Sequence, residues 1–167
     1  MTVEAPLKEY AWRYASPLGG ITLVGDGEAL SGLWFDGQRE RTACPPEAWL
    51  PVFAETVRWL DIYFGGRDPG FTPPLRMRTT PFRKAVWEIM LRIPYGRTMA
   101  YGEIAAALVR ERGGGRMSAQ AVGGAVGHNA IALVIPCHRV IGADGSLTGY
   151  GGGLWRKQAL LKLESVF

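Results

Sequence analysis

The chain is poor in the residues that build disulfide frameworks and metal sites. It has two cysteines, Cys44 and Cys137, and two histidines, His128 and His138. A single cysteine pair, widely separated in sequence, is a weak framework for a chain of this length, so a reduced compartment is expected. The four side chains lack zinc-site spacing, so no metal is expected. Long apolar runs are also missing. None approaches the roughly 18 residues that suggest a membrane span. The opening MTVEAPLKEYAWRY has no basic segment leading into an apolar one. A cytoplasmic protein is therefore expected, without membrane contact or a secretory leader.

Apolar residues make up 47% of the chain and charged residues 20%, which fits one or two small globular domains. The charge is uneven. Residues 1–78 carry 8 Lys+Arg and 10 Asp+Glu, a net of −2, whereas residues 79–167 carry 11 and 5, a net of +6. A basic second half is consistent with a polyanionic partner or with ordinary solvated surface.

Residues 10–16, 20–25 and 29–35 read as strands of an antiparallel meander, separated by Pro17 with Gly19 and Gly20 and by Gly25-Asp26-Gly27. A helix follows over 51–64, with Phe53, Val57, Leu60 and Phe64 at helical spacing and Gly65 and Gly66 ending it. The Pro- and Gly-rich stretch 67–78 reads as a linker. These features predict an α/β fold. Its N-terminal domain, 1–74, holds an antiparallel sheet with one helix. Its C-terminal domain, 75–167, is mostly helical.

In the second half, Thr80 is placed to cap a helix that starts at Pro81, with Phe82, Val86, Ile89 and Met90 on one face. Pro94-Tyr95-Gly96 breaks it. A helix over 101–109 turns Ile104, Ala105 and Leu108 inward. The glycine-rich turn 110–116 leads to a third helix, 119–126, capped by Ser118. Two short helices joined by such a turn suggest a helix-turn-helix, although this turn is long for that motif. The third helix contains Ala119, Ala121, Gly123, Gly124 and Ala125. Glycines there cost up to about 1 kcal/mol each, which tight packing or entry into a nucleic-acid groove would justify. Residues 131–135 read as a buried strand running into Pro136-Cys137-His138-Arg139. A loop over 142–153 precedes a last helix, 154–164.

Cys137 is either a small buried hydrophobe or a nucleophile. The nucleophilic reading draws on the adjacent His138 and on Glu164, because a thiol reacts as its thiolate and a carboxylate-oriented histidine can take its proton. Adjacent residues on an extended chain point to opposite sides, so contact between Cys137 and His138 requires a turn or a bridging water. Tyr101 and Tyr150 are core-edge tyrosines or ligand contacts. The Gly149-Tyr150-Gly151-Gly152-Gly153 run permits close backbone approach, as in a pocket wall, or simple flexibility.

The segment IPCHRVIG, 135–142, resembles the active-site signature of the O6-alkylguanine-DNA alkyltransferases. FRKAVWEIMLRIPYGRTMAYGEIA (82–105), AVGGAVGHN (121–129) and LTGYGGGLWRKQALLKLE (147–164) are similar to further segments of that family, in the same order. SPLGGITLV (16–24) is similar to its opening strands. The resemblance implies a ribonuclease H-like N-terminal domain and a DNA-binding C-terminal domain that acts once and needs no cofactor. It implies Cys137 as alkyl acceptor, His138 as a water-mediated base, Glu164 as the group orienting His138, and Asn129 as a brace before the active site. Tyr101 would donate to the flipped guanine, and Val140, Tyr150 and Gly151 would line the base pocket. The third helix would enter the minor groove, with Arg116, Gln120, Ala121 and Gly124 at the DNA. The implied partner is double-stranded DNA carrying O6-alkylguanine, bound by a monomer.

This sequence departs from the family twice. Gln120 stands where many members have an arginine that fills the gap left by the flipped base, and Asn129-Ala130 replaces a frequent Asn-Pro. Other readings are a lesion-binding protein without transfer, a helix-turn-helix regulator and a hydrolytic thiol enzyme. Cys137 argues against the first, the PCHR segment and the lack of a dimerisation element against the second, and the Cys–His adjacency with DNA-binding helices against the third.

Overall fold

A computed structural model of the chain describes residues 7–38 and 44–167. The first six residues of the opening segment discussed above lie outside that description. The chain divides into two compact units, Met1–Arg76 and Met77–Phe167.

The first unit is a three-stranded antiparallel sheet with one helix. Strands β1 (Tyr10–Ser16), β2 (Gly19–Gly25) and β3 (Leu30–Phe35) lie in chain order, and helix α1 spans Pro51–Phe64. The β1–β2 register runs from Tyr10 opposite Gly25 to Ser16 opposite Gly19, and a bulge at Val24/Gly25 interrupts β2–β3. Alternation along β1 turns Tyr14 toward α1, where its ring stacks on Phe64 at 6.4 Å and its hydroxyl donates to Asp61 at 2.6 Å. The buried stripe of α1 is centred differently from the expected one. Val52, Phe53, Thr56, Trp59, Leu60 and Tyr63 are buried, while Val57 and Phe64 are only half-buried. The large rings of Trp59 and Tyr63, four residues apart and stacked at 5.1 Å, set the inward face.

Asp26 closes this unit. It is fully buried in the β2–β3 turn and accepts from the backbone N–H of Glu28 at 2.8 Å, from that of Ala29 at 2.9 Å and from Arg76 Nε at 2.6 Å. Burial alone would raise its carboxyl, but Arg76 and the two N–H groups bring it below the ordinary carboxylate range. Leu75 bridges Leu30 in the same corner.

The second unit contains α2 (Pro81–Met90), β4 (Met99–Ala100), α3 (Tyr101–Glu111), α4 (Ala119–Gly127), a 3-10 turn (Cys137–Arg139), β5 (Val140–Ile141) and α5 (Leu154–Leu163). The helix starts follow their capping residues. Thr80 Oγ1 accepts from the Arg83 N–H at 3.2 Å, and Ser118 Oγ accepts from the Ala121 N–H at 3.0 Å. The buried face of α2 is Val86, Trp87, Ile89 and Met90, with Phe82 half-buried. Trp87 Nε1 donates to the Ala125 carbonyl at 2.9 Å and so ties α2 to α4. No helix among the described residues is long and apolar enough to cross a membrane.

The segment 131–135 is not a strand. It is a tight buried turn in which Ile135 N donates to Ile131 O at 3.0 Å and Leu133 adopts a left-handed φ of 68°. A leucine in that region is strained and persists only where its surroundings enforce it. The short parallel bridge of β4 to β5, Met99 opposite Val140 and Ala100 opposite Ile141, places the start of α3 beside the residues that follow the turn.

Candidate active site

Asn129 organises the buried turn. Its Nδ2 donates to Ile135 O at 2.8 Å, and its Oδ1 accepts from Ile131 N at 3.0 Å. One side chain thus holds the buried Ile131 N–H and adds a second donor to the buried Ile135 C=O, which also accepts from the Cys137 N–H. Asn129 also acts to lower the Cys137 thiol, against the burial that raises it. With alanine at 129 the Ile131 N–H and Ile135 C=O lose these partners. We expect that variant to be less stable by about 1–3 kcal/mol in urea unfolding, and an unchanged midpoint would contradict the bracing role.

Cys137 opens the 3-10 turn, with its N–H on Ile135 O at 2.8 Å. The turn removes the difficulty of an extended chain, because Cys137 and His138 no longer alternate across a strand. His138 is fully buried, and its Nε2 meets Glu164 Oε2 at 2.6 Å. The other carboxylate oxygen, Oε1, accepts from Arg139 Nε at 2.8 Å and from the Gly96 N–H at 2.9 Å. Gly96 has a φ of 77°, and a side chain there would lie 3.2 Å from the Glu164 carbonyl, so glycine suits both the backbone conformation and the close approach. Arg139, itself buried, also donates to Ile93 O at 2.8 Å.

These contacts fix the protonation pattern. Burial would raise Glu164, but His138 and Arg139 hold it at about 2, so it is ionised and accepts from both. The Nε2 of His138 therefore carries the proton, and Nδ1 of the neutral ring is an acceptor. Burial lowers His138 despite Glu164. Burial raises the Cys137 thiol, although Asn129 and Lys157 oppose it. Both shifts favour a resting pair of neutral thiol and neutral imidazole.

Lys157 was not anticipated from the sequence. Its side chain is fully buried, and Nζ donates to Val140 O at 2.6 Å and Thr148 O at 2.8 Å. Burial lowers its ammonium, and Cys137 opposes that shift. Arg139 and Gly96 were likewise not singled out as site residues. Among the described residues no cluster of three or more His, Cys, Asp or Glu side chains is placed to hold a metal ion.

The anticipated residues fall into two groups. Cys137, His138, Glu164 and Asn129 are all buried: His138 and Glu164 are paired, and Asn129 braces the turn that leads to Cys137. Val140 is buried in β5 beside it, and Tyr150 seals its hydroxyl from solvent while its ring stays half-exposed. Burial and the nearby Cys137 push that phenol well above its ordinary value. Gly151 is exposed. The second group lies on α4 and the turn before it. Arg116, Gln120, Ala121 and Gly124 are exposed, whereas Val122, Ala125 and Val126 face inward. Over 119–127 the exposed side of α4 is Ala119, Gln120, Ala121, Gly124 and Gly127, so Gln120 is its one large side chain. Tyr101, half-buried, links the groups: its ring lies 3.8 Å from where a Gly123 side chain would begin, and its hydroxyl accepts from Thr148 Oγ1 at 3.1 Å.

Comparison with known proteins adds to this geometry. Residues 81–166 match the family described as 6-O-methylguanine DNA methyltransferase, DNA binding domain, and residues 10–77 match its ribonuclease-like domain. A methylated-DNA–protein-cysteine methyltransferase of Mycobacterium tuberculosis is 47% identical over 153 residues, covering 89% of this chain and 88% of that protein. One from Methanosarcina acetivorans is 42% identical over 154 residues, covering 90% and 95%. A crystal structure of Mycobacterium tuberculosis OGT in complex with DNA superposes with a TM-score of 0.81 at 45% identity, covering 95% of this chain and 92% of that one. With both domain families matched in order along nearly the whole chain, this protein belongs to the 6-O-methylguanine DNA methyltransferase family.

Proposed function

We propose that this protein repairs DNA by direct reversal, moving a methyl or other small alkyl group from O6 of guanine to Sγ of Cys137. The observation that carries this is the buried network in which ionised Glu164 fixes the His138 tautomer with Nδ1 as acceptor beside the Cys137 turn. His138 Nδ1 takes the thiol proton, through a bridging water. The thiolate attacks the alkyl carbon in line, an S–C bond forms and the C–O6 bond breaks. The guanine leaves as its anion and takes up a proton, and the proton that His138 took from the thiol is returned through water, so that no net proton is gained or lost. The thioether is a poor leaving group and nothing regenerates the thiol, so each molecule acts once.

The target base must leave the duplex stack, at a cost of a few kcal/mol. The thin exposed face of α4 suits the minor groove, and the basic second half suits the phosphates around it. Tyr101 donates to the flipped guanine, Asn129 braces the turn, and Val140, Tyr150 and Gly151 bound the base. The protein acts as a monomer, in the reducing cytoplasm that keeps the thiol free.

The test is intact mass after incubation with a duplex containing one O6-methylguanine, followed by peptide mapping. One methylene per molecule, on the peptide bearing Cys137, is expected. Selective duplex binding with no mass gain would leave a lesion-recognition protein. Gln120 is placed to occupy the gap left by the flipped base. Gln120→Ala should slow transfer from duplex DNA several-fold more than transfer from free O6-alkylguanine base, and equal losses on both substrates would remove that role.

A further inference from the structure

The link between Tyr101 and Thr148 belongs to no assigned role. Thr148 is exposed, yet both its side chain and its backbone are engaged. Its hydroxyl donates to the Tyr101 oxygen at 3.1 Å, and its carbonyl accepts from Lys157 Nζ at 2.8 Å. The same Nζ reaches Val140 O, so the buried ammonium clamps both ends of the loop between residues 140 and 148. That loop is also bonded within itself: Gly142 N to Ser146 O and Gly145 N to Gly142 O, both at 2.9 Å, and Ser146 N to Asp144 Oδ1 at 3.0 Å. At the other end, the β4–β5 bridge fixes the first residue of α3, which is Tyr101.

We propose that Thr148 is a positioning residue that sets the direction in which the Tyr101 hydroxyl donates. This rests on the reading that Tyr101 donates to the extruded guanine. A phenol oxygen that accepts from Thr148 must turn its own proton elsewhere, and accepting one hydrogen bond strengthens the one it donates. Without Thr148 nothing selects between the two in-plane directions of the phenol proton, which must then be ordered when the base arrives. The rigid loop gives the threonine a fixed place from which to do this. Because Lys157 holds the backbone carbonyl, a change of side chain at 148 leaves the clamp intact.

Thr148→Val keeps the shape and removes the hydroxyl, and Thr148→Ser keeps the hydroxyl. The experiment measures single-turnover methyl transfer from duplex O6-methylguanine by intact mass for the wild type, Thr148→Val, Thr148→Ser, Tyr101→Phe and the Thr148→Val/Tyr101→Phe double variant. Expected are a loss of about five- to tenfold for Thr148→Val, near-complete rescue by Thr148→Ser, and no further loss when Thr148→Val is added to Tyr101→Phe. An equal loss from Thr148→Val in both backgrounds would overturn the proposal, since the residue would then act other than through Tyr101. So would wild-type rates for Thr148→Val or Tyr101→Phe. Absence of mass gain on the wild type would instead overturn the transfer reading.

Discussion

Cys137→Ala is expected to gain no mass from an alkylated duplex while still binding it. The chain has one other thiol, Cys44, which is exposed, unlike the buried Asn129, His138 and Glu164. Cys137 is buried at the start of the 3-10 turn that also carries His138. The residue is 7% exposed, and its thiol is lowered by the Asn129 amide and the Lys157 charge. Both oppose the burial that otherwise raises the thiol, so both favour the thiolate that the proposed transfer requires. Removing one sulfur from the turn costs packing of about 1 kcal/mol. The bonds from Asn129 to Ile131 and Ile135 do not involve the sulfur and persist. Duplex affinity, read by fluorescence anisotropy, should stay within a few-fold of wild type. Methyl found on Cys44 of this variant at the wild-type rate would move the acceptor site. Cys44→Ser, conversely, should transfer at the wild-type rate.

The helix starts in the second unit were legible because each carries its own local signal. Thr80 with Pro81, and Ser118, specify those starts wherever the chain folds. The meander was legible for the same reason, since its turns are marked by glycine and proline. The segment 131–135 was not. A short run of apolar residues reads alike as a buried strand or as a buried turn, because periodicity has nothing to act on. What decides it is the Asn129 side chain, which supplies the pairing a neighbouring strand would have given. Cys137, His138 and Glu164 could be put forward from residue type and adjacency, and Asn129 entered only through the family resemblance. Lys157 had no such signal. A lysine in a helix is normally solvated, and this one is buried because two carbonyls, 9 and 17 residues away, converge on it. The Gly96 contact with Glu164 spans 68 residues and depends on the tertiary fold alone. Strands β4 and β5, two residues each, are too short for any pattern.

Glu164→Gln should give the largest combined loss of stability and activity short of removing the thiol. The carboxylate accepts from three donors, two of them on fully or nearly fully buried side chains. A neutral amide leaves the Arg139 guanidinium buried without its counter-ion, and breaking a buried pair in this way costs about 3–5 kcal/mol. The rate falls as well. In the proposed mechanism His138 becomes an imidazolium as it takes the thiol proton, and only the charged form of residue 164 would stabilise it. A loss on the order of 100-fold in transfer is expected. Linkage separates this from general loosening of the site. The folded-state pKa of Glu164, about 2, lies below its ordinary 4.5, so its contribution is complete above pH 4.5 and is lost as pH falls toward 2. For the wild type that amounts to about 3 kcal/mol across the window. His138, lowered by burial, adds a separate decline that begins below pH 6.5, because the unfolded imidazole binds a proton before the folded one does. Urea unfolding at pH 7, 5.5, 4 and 3 resolves the two. In Glu164→Gln the decline below pH 4.5 should flatten. The decline below pH 6.5 should persist or steepen, since the ring has lost the neighbour that favoured its protonation. Parallel stability curves for the two proteins across the whole range would mean that Glu164 does not carry the charge assigned to it, and the tautomer that makes His138 Nδ1 the base would lose its support.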